Sequence, residues 1–207
     1  MSYSKEMCLF LLNNTDLIES QSLTEYVEET VFKFINQAIA RKLGDRTPWK
    51  KRLGLVTGDD DDNEETTFAR LNWPTKVGGE ELAYFRLWEN ESDINDYWLS
   101  HALGLHTGML CFEFRMKAKP GGPTPYRIKK AIEEFYNANE VFKKEGFIHH
   151  KRGAIYLPFK LDVNLVIKEF PDLKTAIVSV NEALDKILAQ IDLFDKLVRE
   201  IYPIEKA

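Results

Sequence analysis

Thr107-Gly108-Met109-Leu110-Cys111-Phe112-Glu113-Phe114-Arg115-Met116-Lys117 decides the fold class. Successive side chains of an extended chain point to opposite faces, so Leu110, Phe112, Phe114 and Met116 share one side and Cys111, Glu113, Arg115 and Lys117 the other. No other segment alternates as cleanly, and the reading is a strand with an apolar and a mixed face. Upstream, Thr66 to Trp73 and Leu82 to Glu89 are rich in β-branched and aromatic residues and are separated by Pro74, Gly78 and Gly79. They read as the two arms of a hairpin. Downstream, Ala154 to Leu161 is a further strand, with Pro158 placing it at a sheet edge because proline cannot donate to a ladder.

Helical signals surround these strands. Ser22-Leu23-Thr24-Glu25 has capping-box spacing, and Val27, Val31, Phe34, Ile35, Ala38 and Ile39 then recur at three and four residues up to Gly44. Pro48 predicts an irregular stretch before a short strand at Leu53 to Thr57, and Asp93 to Leu103 a short helix carrying Trp98. Pro120-Gly121-Gly122-Pro123 stops the central strand, after which Thr124 and Pro125 supply an N-cap and a first-turn proline. The buried face of that helix is expected at Ile128, Ala131, Ile132, Phe135 and Phe142. A short helix at Asn164 to Glu169 and a long one over 173–202 complete the chain. The expected fold is α+β: a mainly antiparallel sheet of four to five strands packed by helices, in one domain spanning 1–207, with a long C-terminal amphipathic helix.

In that last helix Ile177, Val180, Leu184, Ile187, Ile191, Phe194, Val198 and Ile201 follow a heptad pattern. As one rod at ~1.5 Å per residue it would measure about 43 Å. Ala183, Leu188 and Leu197 widen the stripe beyond a coiled-coil seam, which suits a helix lying on its own sheet. A second strip at Val178, Leu193 and Leu197 points to a homodimer.

Composition narrows the classes of function. The 207 residues are 44% hydrophobic and 29% charged, enough to bury a core without disulfides or metals. A net charge of -5 and a pI near 5.5 argue against coating DNA or a membrane through bulk positive charge. Cys8 and Cys111 sit in apolar runs and read as reduced thiols. The run Met7 to Leu12 is too short for a signal peptide, and no stretch approaches the ~18 apolar residues of a membrane span. The expectation is a soluble, cytoplasmic protein.

The chemistry-bearing residues gather on the mixed sheet face. Phe68, Arg70 and Asn72, then Tyr84, Arg86 and Trp88, then Glu113, Arg115 and Lys117, with Tyr156 and Lys160 beside them, are assigned there. Ala69, Leu71, Ala83, Phe85 and Leu87 are assigned to the apolar side. Guanidinium groups pair with phosphate and rings accept stacked bases, so Arg70, Tyr84, Arg86, Trp88, Arg115 and Lys117 are the candidate residues for nucleic acid or another anionic partner. The bland alternative has helices covering both faces, with these side chains anchoring a second layer.

The run Asp59 to Glu65 lacks the alternation and mid-loop glycine of a calcium loop and reads as solvated charge. Glu113-Phe114-Arg115, with Asp93 or Asp96 upstream, partly resembles the metal-holding pattern of restriction-type nucleases. Arg115 replaces the lysine, however, and a guanidinium does not serve as a general base near neutral pH. His101 and His106 are five residues apart, which does not make a zinc pair, while His149-His150-Lys151-Arg152 is a basic patch able to touch phosphate. No catalytic residue, metal ligand or cofactor is assigned. The sequence favours a non-catalytic binding or assembly protein; the alternatives are a metal-dependent nuclease-like hydrolase and an accessory or regulatory protein with no nucleic-acid role.

Overall fold

The computed structural model describes residues 20–44, 48–54, 65–76, 78–90, 98–104 and 109–203, with side chains from Glu25 onward. Its elements are α1 (Ser20–Leu43), β1 (Trp49–Arg52), β2 (Thr67–Arg70), β3 (Ala83–Asn90), α2 (Trp98–Leu103) and β4 (Met109–Met116). After these come α3 (Pro125–Ala138), α4 (Glu140–Lys144), β5 (Ile148–His150), β6 (Ala154–Phe159), α5 (Val163–Glu169), α6 (Val178–Ala189) and α7 (Ile191–Ile201). The strands form one antiparallel sheet in the order β1-β2-β3-β4-β6-β5. The α+β class is as expected, with six strands rather than four to five. Two were not anticipated: β1 at Trp49–Arg52, and β5, which is too short to show alternation; of the strand expected at Leu53 to Thr57, residues 53 and 54 are irregular and 55–57 lie outside the described residues.

The central strand sets the core. Leu110, Phe112 and Phe114 are fully buried beneath the helices, and Met116 nearly so. Phe85 on β3 pairs with Phe114, and Phe68 on β2 pairs with Phe85, so all three rings share the helix-covered face. Phe68 and Phe85 stack with centroids 5.2 Å apart, and Phe194 of α7 stands within 5 Å of both Phe85 and Phe114. This register corrects the sequence reading of β2 by one residue. Phe68 and Arg70 belong to the covered face, Thr67 and Ala69 to the other, and Leu71 lies past the strand, 53% exposed. A one-residue shift inverts every side chain, and Thr66-Thr67-Phe68-Ala69-Arg70 has too little apolar contrast to fix it.

Pro158 does not mark an edge. β6 is flanked by β4 and β5, but β5 runs along it only as far as Tyr156, so Pro158 has no β5 partner. Among the described strands the edges are β5 and β1, the latter carrying Lys50, Lys51 and Arg52.

Among the helices, α1 already runs at Ser20, placing Ser22 inside it, and ends at Gly44 with φ +64°. The predicted cap of α3 is present: Arg127 N donates to Thr124 Oγ1 at 3.3 Å, and Ile128, Ile132 and Phe135 are buried. Phe142 belongs instead to α4, beyond a break at Asn139.

The predicted rod over 173–202 is not continuous. Residues 173–177 are irregular, bending into a turn at 176–177, where the Glu169 carboxylate accepts from Thr175 N at 2.7 Å and Ala176 N at 3.0 Å. A second break falls at Gln190, whose carbonyl accepts from Leu193 N at 3.0 Å and so opens α7. Neither proline nor glycine causes it. α6 packs on α1 and β6, whereas α7 packs on α3 and drives Phe194 among Phe85, Phe114, Phe142 and Phe147. One straight axis does not serve both sets of neighbours. Val180, Leu184, Ile187, Phe194 and Leu197 are all fully or almost fully buried in their own chain, which removes Leu197 from the strip read as a dimer surface. No described helix is long and apolar enough to cross a membrane.

Candidate functional site

The face of the sheet away from this core carries rows of polar side chains set by register. Trp88 pairs with Cys111 and Cys111 with Pro158; Arg86 pairs with Glu113 and Glu113 with Tyr156; Tyr84 pairs with Arg115. On the far edge His150 pairs with Ala154. Between the larger side chains lies a groove of about 330 Å³ lined by Arg86, Trp88, Glu113, Arg115, Arg152 and Tyr156, with Cys111, Glu89 and His150 completing the wall.

Glu113 is the centre of its electrostatics. Sequence alternation places it outward and predicts exposure, yet it is buried, because its Oε2 accepts from Arg86 Nε at 2.5 Å while Arg115 Nε lies 4.0 Å away. Arg86 also donates through Nη1 to Glu65 Oε1 at 2.7 Å, and its guanidinium carbon sits 3.5 Å above the Trp88 ring. Two carboxylates and a ring thus hold Arg86, which is 5% exposed. The guanidinium groups reaching solvent at the rim are those of Arg115, whose side chain is 39% exposed, and Arg152. On the floor the Cys111 thiol donates to Trp88 O at 3.3 Å. Burial, and then the Glu113 charge, pushes its pKa far up, so it is a neutral thiol rather than a nucleophile. Burial likewise raises the Tyr156 hydroxyl, with Cys111 and Glu113 adding to it.

Tyr84 and Lys117 lie on the same face but in a separate depression with Arg52, Glu65, Glu80 and Glu81. There Lys117 Nζ donates to Glu80 at 2.7 Å and lies 4.9 Å over the Tyr84 ring. Hydrogen bonds from Lys117 and Lys76 hold the Glu80 carboxyl down to about 2. Positive charge here is internally matched.

Arg70 is not part of this face. It stands on the helix side, 3.5 Å from Asp195 of α7 and 5.6 Å from the Trp49 ring, and Asp195 also accepts from Trp73 Nε1 at 2.6 Å. Of the six candidates, the structure therefore brings Arg86, Trp88 and Arg115 together, sets Tyr84 and Lys117 beside them, and removes Arg70. Tyr156 stands on this face as the alternation placed it, whereas His150, Arg152 and the Glu65 partner of Arg86 were not joined to it. His149 to Arg152 did stand out as a basic patch, but nothing in the sequence joined it to Arg115 across β6. Asp59 to Asn63, Asp93, Asp96, His106, Cys8 and the run 7–12 lie outside the described residues, within which no three His, Cys, Asp or Glu side chains converge as metal ligands.

The chain matches no family model, no curated protein and no solved structure.

Proposed function

We propose that this is a non-catalytic binding protein whose polar sheet face takes single-stranded nucleic acid. The observation that carries the reading is the groove itself, where the solvent-reaching Arg115 and Arg152 share the lining with Trp88 and Tyr156. Guanidinium groups at a rim suit phosphates, and unpaired bases would stack on Tyr156 and on the face of Trp88 that Arg86 does not cover. A volume near 330 Å³ at the low end of small-ligand sites suits one base at a time rather than a duplex. The nuclease-like alternative is less well supported, because Arg86 Nε already occupies one Glu113 oxygen and, among the described residues, no cluster of three His, Cys, Asp or Glu side chains forms around the other. Labelled oligonucleotides titrated at low salt test the reading by fluorescence anisotropy. Arg115→Ala and Arg152→Ala are each expected to weaken binding and to reduce the salt slope by about one counterion. Absence of binding by the unaltered protein to any single strand at low salt overturns it.

A further inference from the structure

Resting on that reading, we infer that the groove selects unpaired bases bearing an exocyclic amine, with Glu113 as the group that reads them. An ionised carboxylate is an acceptor with no proton to give. Its Oε2 is taken by Arg86, and no described residue donates a hydrogen bond to its Oε1. The donors nearest to Glu113 are partly committed, while the Tyr156 hydroxyl and the remaining Arg86 hydrogens also line the groove, so the discrimination rests on the Glu113 edge alone. The Cys111 hydrogen is spent on the Trp88 carbonyl, and two of the five Arg86 N–H donors on Glu113 and Glu65. A base entering between Trp88 and Tyr156 with its phosphates on Arg115 and Arg152 turns its inner edge toward an acceptor. The cytosine amine donates to such a group, as Glu and Asp accept from it in base readout. The uracil carbonyl at the equivalent position sets oxygen against oxygen and leaves both without a proton between them.

Oligo(dC) and oligo(dU) of equal length differ at this edge and share backbone charge, so their ratio of dissociation constants isolates the effect. At pH 7.5 and low salt, oligo(dC) is expected to bind roughly tenfold more tightly, within the range of one well-placed base contact. In Glu113→Gln the amide offers both a donor and an acceptor, and the preference is expected to collapse while both oligonucleotides still bind. Equal binding of the two by the unaltered protein, or tighter binding of oligo(dU), overturns the selectivity and leaves the proposed function standing. A preference that survives Glu113→Gln overturns the role of Glu113. Failure of both oligonucleotides overturns the proposed function. Should Glu113→Gln not fold, as circular dichroism would show, the wild-type ratio decides alone.

Discussion

Arg70 and Arg86 lie on neighbouring strands, and His149 and His150 are adjacent in β5, yet each pair is divided between the two faces of the sheet. On the covered face, Arg70 finds its carboxylate in another layer, Asp195 of α7, and its guanidinium lies 5.6 Å from the Trp49 ring. On the polar face, Arg86 finds Glu113 on the next strand and Glu65 just before β2, and its surroundings are further charges. Buried charge is thus handled vertically on one side, as a pin between sheet and helix, and laterally on the other, as a chain of groups within the sheet. The vertical arrangement depends on tertiary packing, and the lateral one leaves Arg115 and Arg152 facing solvent.

Removing a ring should harm the covered face most. Phe194→Ala deletes the ring shared by β3, β4 and α4 and is expected to lower stability by about 3–5 kcal/mol in urea denaturation. A loss below 1 kcal/mol would show that α7 does not hold the sheet. Ile187→Asp, which places a charge at a site with no exposure, should leave the chain unfolded. Folded monomers obtained from an oligomer would instead locate an interface there.

On the polar face the expected cost is smaller. Arg86→Ala strands Glu113 and should cost roughly 2–3 kcal/mol, less than a fully enclosed ion pair because Glu65 is part-exposed. Arg86→Met with Glu113→Leu should recover part of that loss. Were the single change neutral, the lateral chain would be solvated charge with no structural role.

The histidines give the finest comparison. His149 faces the covered side 5.6 Å from the Tyr136 ring, and burial lowers its pKa below the ordinary 6.5, with His150 and Lys129 lowering it further against Glu133. The unfolded chain then takes up its proton first as pH falls, so stability is full above about 6.5 and declines through the lowered folded value. His149→Gln should flatten this decline between pH 7.5 and 5.5. An unchanged profile would assign the effect to other groups.

Period-two alternation made β3, β4 and β6 legible, and with them the core and the positions of Arg86, Trp88 and Arg115. It was silent where the contrast was weak: Phe68 and Ala69 differ little in polarity, so β2 was inverted and Arg70 misplaced with it. Alternation also says which way a side chain points and not what it meets. Glu113 pointed outward as read and was buried all the same by Arg86. The heptad stripe gave the right buried residues in α6 and α7 but not the break at Gln190, since a kink demanded by packing leaves no proline or glycine behind. His150 and Arg152 entered the site through a strand of three residues, too short for any periodic signal.

The borders of the sheet bear on behaviour at high concentration. An unpaired strand is a template for the backbone of another molecule, and sheets that grow in this way end as fibres. Here β1 carries Lys50, Lys51 and Arg52, long charged side chains that blunt an edge even though Lys50 pairs with Glu81 and Lys51 donates to the Gly44 carbonyl. At the opposite border β5 offers three residues, and where it stops Pro158 lacks the N–H that a docking strand would need. Replacing Pro158 with a β-branched residue, or Lys50 and Lys51 with valine, would convert these blunt ends into adhesive ones.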